Sequence, residues 1–458
     1  MLIRIFTQMA IPGALIESLQ SVKGFDRKTF EAVHASEEKI TSVRYNLQKP
    51  IPQPEWQEAP IPWCPQGSYL SHRPSFTMDP FFHAGAYYVQ EPSSMFLWQV
   101  LKETIGSDTQ RRVLDLCAAP GGKSSLLANY FQDGLVVANE VIKSRSAILV
   151  ENMTKWGSDQ VVITNNDPSH FAQLPGFFDV MVVDAPCSGS GLFRKDPSAI
   201  EEWSEENVQL CSLRQQRILA DILPALQEEG ILIYATCSFS PKEDEAIADW
   251  LMTEMNMESI RISHAEEWGI IETESPSKKA FGYRFFPDKV KGEGFFIAVF
   301  QKKSTPALHR YREISLLSLS RTETQMINEI ISLPETHALF KQGESIRTFT
   351  RQYWKDLQVL AKSLYIKKAG IDLGTIKGKD LIPAHDLAMS VLPKEQFPVI
   401  TLSIEEARSY LRRNDLKVDN MIKGWNLMAY QTLPLGWVKV LPNRINNYYP
   451  SEWRILKE

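Results

Sequence analysis

Between about residues 100 and 303 the chain alternates short apolar, β-branched runs with longer amphipathic ones. Val113–Cys117, Leu135–Asn139, Val161–Ile163, Val180–Asp184 and Ile231–Ala235 are nearly unbroken apolar runs, the pattern of strands covered on both faces. Lys143–Trp156 and Glu205–Leu226 lie between them and carry their apolar positions at helical spacing. This alternation predicts an α/β fold, a doubly wound parallel sheet with helices on both sides. A last pair of runs, Tyr283–Pro287 and Gly294–Phe300, is expected as an antiparallel hairpin at one edge.

The flanks read differently. Residues 1–100 predict a helix from Pro12 to Val22, then Pro-rich and aromatic sequence. They end in Gln90-Glu91-Pro92-Ser93-Ser94, whose serines are expected to cap an apolar helix from Met95 to Leu101. Gln301-Lys302-Lys303-Ser304-Thr305-Pro306 and Pro393 to Pro398 look like boundaries. The last sixty residues carry strand-like runs around Gly424-Trp425, Pro434-Leu435-Gly436-Trp437 and Tyr448-Tyr449-Pro450, as in a small β-rich module. The expected division is 1–100, 101–303, 304–397 and 398–458.

With 458 residues, 43% of them hydrophobic, the chain is long enough for several cores. Its five cysteines form no Cys-x-x-Cys pair and its eight histidines no zinc spacing. Reduced thiols in a cytoplasmic protein without a metal are expected. Met1-Leu2-Ile3-Arg4-Ile5-Phe6 leads into no signal-like segment and no run of about 18 apolar residues occurs, so neither secretion nor a membrane span is expected. The net charge of −5 divides unevenly: residues 303–458 carry +7 and residues 1–302 carry −12. A basic C-terminal third on an acidic body suits a nucleic-acid grip, although chance unevenness accounts for it equally well.

Three strand ends concentrate the chemistry. Asp115-Leu116-Cys117-Ala118-Ala119-Pro120-Gly121-Gly122-Lys123 breaks a strand into a glycine turn and a helix. Its free N–H groups suit a carboxylate or phosphate. It lacks Gly-x-Gly-x-x-Gly, so a dinucleotide is disfavoured. Glu140 ends the second strand at a spacing suited to ribose hydroxyls. S-adenosylmethionine needs such a clamp and no pyrophosphate cradle. Asp167, after the third strand, could reach an adenine amino group; taken alone, it reads better as a surface turn.

Asp184-Ala185-Pro186-Cys187 and Ala235-Thr236-Cys237 each close a strand with a thiol, 50 residues apart. Carbon 5 of a pyrimidine is a poor nucleophile until a thiolate adds to carbon 6, after which it can take a methyl group. One cysteine could attack while the other assists release. Asp184, as a buried carboxyl sharing a proton, could hydrogen-bond the base edge and stabilise its developing charge. The plainer reading makes both cysteines small buried hydrophobes. Two of them at paired strand ends argue against it. Arg194 and Lys195 are equally readable as RNA contacts or solvated charge. Trp425, Trp437, Tyr448 and Tyr449 could stack on bases, though core packing is commoner in small β modules.

These motifs resemble the Nol/Nop/Sun RNA 5-methylcytosine methyltransferases over about residues 1–303, including Phe193-Arg194-Lys195-Asp196-Pro197 and Arg284-x-x-Pro287 with Gly292-Glu293-Gly294-Phe295-Phe296. The N-terminal block and the Gly-Trp, Pro-Leu-Gly-Trp tail are similar to the RsmF-type branch, which modifies small-subunit ribosomal RNA; the tail resembles its PUA-like RNA-binding module. The resemblance implies Cys237 as nucleophile and Cys187 as the residue aiding release. It implies an S-adenosylmethionine site made of Cys117, Ala118, Ala119, Pro120, Gly121, Gly122, Lys123, Glu140, Asp167 and Asp184. Asp288 departs from the pattern, where histidine is common, and residues 304–398 match only loosely.

The expectation is a Rossmann-like methyltransferase core with an N-terminal α/β RNA-guiding domain and a C-terminal PUA-like module, monomeric, with ribosomal RNA as partner and no membrane. The alternatives are a transfer-RNA or DNA cytosine methyltransferase and a non-catalytic ribosome-assembly clamp. DNA enzymes attack with the Pro-Cys thiol, so Cys237 favours RNA. The full cysteine and carboxylate set argues against a clamp.

Overall fold

The computed structural model describes residues 11–303, 309–416 and 421–456. The N-terminal segment Met1–Phe6 and the Ser304-Thr305-Pro306 part of the expected boundary lie outside the described residues. The apolar runs become strands Arg112–Asp115, Leu135–Asn139, Val161–Thr164, Phe178–Asp184 and Leu226–Thr236. All five pair in parallel. Strands Leu135–Asn139 and Val161–Thr164 are buried at every position, which is why they read as unbroken apolar sequence. Helices Gly122–Tyr130, Lys143–Trp156 and Glu205–Ile222 connect them. The last is shorter than expected, because Pro224 closes it into a 3-10 turn over Leu223–Ala225.

Strand Arg112–Asp115 lies between Leu135–Asn139 and Phe178–Asp184, so the winding direction reverses there. Ligands in such sheets bind beyond the C-terminal strand ends at this reversal. The expected hairpin, Phe281–Phe285 with Phe295–Lys302, packs antiparallel beside Leu226–Thr236, and Ile271–Glu274 forms the edge beyond it.

The flanks differ from the sequence reading in four ways. Strand Ile366–Ala369, from the expected 304–397 division, closes the opposite edge of the catalytic sheet, antiparallel to Val161–Thr164, so that sheet runs across the expected boundary at 303. The C-terminal sheet, Val399–Leu402, Gly424–Tyr430, Leu433–Leu441 and Arg444–Asn447, shares one core with the N-terminal domain. Val43 and Tyr87 belong to the same cluster as Ile400, Tyr410 and Tyr449, so this module docks on the N-terminal domain instead of trailing from the catalytic one. Its last strand stops at Asn447, before the expected Tyr448–Pro450, because Tyr449 turns inward and its hydroxyl meets His83 Nδ1 at 3.0 Å. Finally, Ser93 and Ser94 cap nothing. A 3-10 turn over Ser93–Phe96 precedes helix Leu97–Thr104, and Glu91 accepts from the Ser93 and Ser94 amides at 3.0 and 2.9 Å.

Candidate active site

The Cys117–Lys123 loop is fastened on every side. Leu116 N donates to Val182 O, and Ala118 N to Asn139 O, tying the loop to both neighbouring strands. Arg145 donates to Ala119 O at 2.7 Å and Asn152 to Pro120 O at 2.8 Å. Gly121 starts the following helix at φ +114°, a conformation that side chains resist. From the N-terminal domain Arg44 reaches in, fully buried: its guanidinium donates to Gln90 Oε1, Gly122 O and Ser125 Oγ and lies 4.8 Å over the Trp156 ring.

Carboxylates surround the loop. Asp115 is buried beneath it and accepts from Ser124 Oγ at 2.6 Å, while its Oδ1 has no partner. Burial pushes this carboxyl up to about 7. Glu140 is buried, its Oε1 accepting from Ile142 N and its Oε2 from no donor. Arg145 lies 3.4 Å from that free oxygen. Asp167 caps its own turn through Ser169 Oγ and N, which hold it below the usual carboxylate range. Asp184 departs from expectation. Its side chain is 32% exposed and ion-paired to Lys123 at 2.6 Å, so the expected burial is not found. Burial alone would lower the Lys123 ammonium; the charge and hydrogen bond of Asp184, with Asp115 and Cys237 nearby, together outweigh it and hold it above its ordinary value.

The two thiols meet. Cys187 Sγ and Cys237 Sγ are 3.1 Å apart, and that contact together with burial raises the Cys187 thiol well above its usual range. One carboxylate joins the loops that carry them. Glu243 accepts from Ser188 N at 2.9 Å, Ser188 Oγ at 2.5 Å, Ser238 Oγ at 2.7 Å and Gln215 Nε2 at 3.1 Å. Thr236 Oγ1 donates to Asp244, and buried Arg284 grips Asp244, Glu245 and the Phe239 carbonyl. Gly191 donates its N–H to Cys237 O; a Cβ there would stand 2.5 Å from Gly294 O, so only glycine lets the loops approach.

A cavity of about 410 Å³ is lined by Cys117, Ala118, Ala119, Pro120, Gly122, Lys123, Asp184, Lys195 and Cys237, with Tyr88 and Gln90 from the N-terminal domain. Gly121, Glu140, Asp167 and Cys187 are not in its lining. Cys187 joins the site through its contact with Cys237. Glu140 and Asp167 follow the ends of adjacent strands. Arg194 is neither solvated nor poised for RNA: its side chain is 5% exposed, near Glu293 at 3.5 Å, and donates to Glu38 O at 2.7 Å. Lys195 is exposed. In the C-terminal module Trp437 and Tyr449 are core, whereas Tyr448 is partly exposed and stands edge-on to Trp425. As site residues the sequence reading missed Arg44, Gln90 and Glu243; Gln90 lay in the Gln90-Glu91-Pro92-Ser93-Ser94 segment and Glu243 in the acidic run Glu243-Asp244-Glu245 soon after the Thr-Cys strand end, while Arg44 left no signal.

The residues fit a sulfonium-bearing nucleoside: a glycine loop at the reversal point, a buried Glu140 oxygen without a donor where ribose hydroxyls would donate, and an unpaired Asp115 oxygen suited to a nearby cation. This combination defines a Rossmann-like, S-adenosylmethionine-dependent methyltransferase. The chain belongs to the RsmB/F family of 16S rRNA methyltransferases, in its RsmF branch. The profile described as "16S rRNA methyltransferase RsmB/F" matches residues 103–301, "N-terminal domain of 16S rRNA methyltransferase RsmF" residues 11–92, and "Methyltransferase RsmF PUA domain" residues 397–455. The chain is 28% identical to ribosomal RNA small subunit methyltransferase F of Aliivibrio salmonicida, over 96% of this chain and 97% of that protein. It is also 28% identical to the protein of that name in Escherichia coli O81, over 90% and 88%. Among solved structures, a methyltransferase homologue from Pyrococcus horikoshii superposes with a TM-score of 0.50 at 26% identity, over 64% of this chain and all of that one. NSun6 from Pyrococcus horikoshii shares the fold at a TM-score of 0.50 and 18% identity, over 65% and 99%.

Proposed function

We propose that this rRNA methyltransferase transfers a methyl group to carbon 5 of cytosine in 16S ribosomal RNA, with Cys237 as nucleophile. The carrying observation is the Cys237–Cys187 contact beside the Lys123–Asp184 pair, at the mouth of the cofactor loop. Cys237 Sγ as thiolate adds to carbon 6 of an unpaired cytosine, and the ring electrons move toward carbon 5. Asp184 and Lys123, which line the same cavity as Cys237, would hydrogen-bond the base edge and balance the charge that develops there. Bound S-adenosylmethionine, held by the Cys117–Lys123 loop, Glu140, Asp167 and Asp184, supplies an electrophilic methyl group on sulfur. After transfer a water molecule takes the carbon 5 proton, the C–H electron pair re-forms the carbon 5–carbon 6 double bond, and the Cys237 sulfur departs from carbon 6 as thiolate, restoring the aromatic ring. The Cys187 thiol, kept protonated by its raised pKa, donates a hydrogen bond to the departing Cys237 sulfur.

In this reading residues 1–100 guide RNA, 101–303 carry the chemistry, 304–397 brace the sheet and 398–458 grip RNA. The protein works in the cytoplasm as a monomer. Bisulfite mapping of ribosomal and transfer RNA from a deletion strain, complemented by wild type, Cys237→Ala or Cys187→Ala, tests it. A 16S cytosine is expected to lose its methyl group in the deletion and with Cys237→Ala. Cys187→Ala should accumulate a protein–RNA adduct on a denaturing gel. Methylation by Cys237→Ala at the wild-type rate overturns the assignment, and a site found only in transfer RNA overturns the substrate.

A further inference from the structure

A second cavity, about 450 Å³, shares Tyr88 and Val89 with the cysteine cavity and lies between the N-terminal segment Arg73–Tyr87 and the end of helix Lys143–Trp156. Its volume suits one nucleotide-sized ligand. Its lining carries two cations, Arg73 and Lys155, several aromatic rings and no carboxylate. That absence is informative in the part of the chain that carries a net −12. Lys155 already pairs with Glu151 at 2.5 Å. Arg73 is exposed, its guanidinium 5.3 Å over the Phe76 ring, and makes no ion pair among the described residues. None of Cys117–Lys123 lines this cavity, so it is no part of the cofactor loop, although Asn152 in its wall holds the Pro120 carbonyl.

We propose that this cavity is a subsite for one unpaired nucleotide of the RNA, adjacent in the strand to the cytosine being methylated. A cation without a counter-ion suits a phosphate, and exposed ring surface suits a base that has left its stack. Continuity through Tyr88 and Val89 places the occupant next to the target base. The subsite rests on the RNA-methylation reading and adds to it a contact outside the target pocket. Arg73 would hold the flanking phosphate, and the partly exposed rings of Phe82 and Tyr88 would receive the base.

The test uses full-length protein and a fluorescent single-stranded RNA spanning the methylated cytosine, followed by anisotropy across a salt series. Arg73→Ala is expected to weaken binding uniformly and lower the slope of log K against log salt by about 1, while Arg73→Lys retains the slope. Ser75→Glu, which puts a carboxylate into the lining, should weaken binding where Ser75→Gln does not. An abasic site scanned along the RNA should cost wild type at least about fivefold at one neighbour of the target. The same neighbour should cost Arg73→Ala measurably less. Calorimetry with S-adenosylmethionine should be unchanged in every variant. Wild-type slopes in Arg73→Ala, equal effects of Glu and Gln at Ser75, or a neighbour penalty that Arg73→Ala leaves intact would each overturn the subsite. So would loss of S-adenosylmethionine binding, which would make it a cofactor pocket. If wild type itself neither binds nor methylates the RNA, the proposed function fails as well; if only the variants behave like wild type, the subsite alone fails.

Discussion

Asp115 offers a pH-dependent test of the cofactor site. It is fully buried under the glycine loop, with one hydrogen bond from Ser124 and one oxygen unpaired, and burial raises it from the ordinary 3.8 to about 7. A carboxyl whose folded pKa lies above its unfolded one favours the native state below the unfolded value. It loses that contribution as pH rises between 3.8 and about 7. At 1.36 kcal/mol per unit, the native state at pH 8 forgoes about 4 kcal/mol relative to a permanently neutral side chain, but less than half of that at pH 5. Asp115→Asn is neutral throughout. The difference in Tm between variant and wild type should therefore grow by about 3 °C from pH 5 to pH 8, in favour of the variant, since a chain of 458 residues melts with an entropy of about 1 kcal/mol per degree. Calorimetric melts of both proteins at the two pH values measure it. Because the ionised form favours a bound cation, wild-type affinity for S-adenosylmethionine should also rise between pH 6 and 8, and that of Asp115→Asn should not. A Tm difference equal at both pH values would refute the reasoning.

Glu243→Ala takes the acceptor from the Ser188 amide and leaves Ser188 Oγ, Ser238 Oγ and Gln215 Nε2 with only longer serine contacts or the Pro186 carbonyl; an orphaned buried donor costs about 1–3 kcal/mol. The substitution should lower Tm and collapse kcat while calorimetry shows S-adenosylmethionine still bound; Glu243→Gln, which keeps the shape, should recover part of the rate. Arg44→Met takes the donor from Gln90 Oε1, Gly122 O and Ser125 Oγ while relieving the burial of a cation that makes no ion pair among the described residues, so Tm should fall, by less than the orphaned acceptors alone would cost. The loosened Gly122 turn should weaken S-adenosylmethionine binding about tenfold by calorimetry, equivalent to one lost hydrogen bond to a charged group. Tyr448→Ala, at the exposed pair with Trp425 beside Lys439, should weaken RNA binding at least about fivefold in anisotropy assays and leave kcat at saturating RNA unchanged.

The catalytic sheet was legible because its strands are buried on both faces, which leaves unbroken apolar runs that no surface strand produces. The loop and the two thiols were legible because strand ends at a winding reversal must meet, wherever they fall in the chain. Strand Ile366–Ala369 was hidden for the opposite reason. Ile-Lys-Lys-Ala has no apolar alternation, and buried Lys368 is tolerated there only because Asp386 pairs with it, a partner 18 residues away that the strand itself does not announce.

The same limit applies inside the site. Asp184 sits at the expected strand end, yet its ion-pair partner is Lys123, 61 residues earlier, and the sequence reading treated it as an isolated buried carboxyl. Arg44 is 81 residues from Ser125 and lies in a short strand of another domain, where a lone arginine looks like solvated charge. Its burial follows from the N-terminal domain being pressed against the cofactor loop, and that docking depends in turn on a core shared with the C-terminal module. Residues that perform chemistry at strand ends are therefore readable one motif at a time. Residues that hold those ends in place become readable only once the domains are assembled, so the division of labour between the flanking domains and the catalytic core is less clean than the chain order suggests. The N-terminal domain and the cofactor loop meet in the same buried guanidinium, and Arg44→Met measures how strongly they are joined.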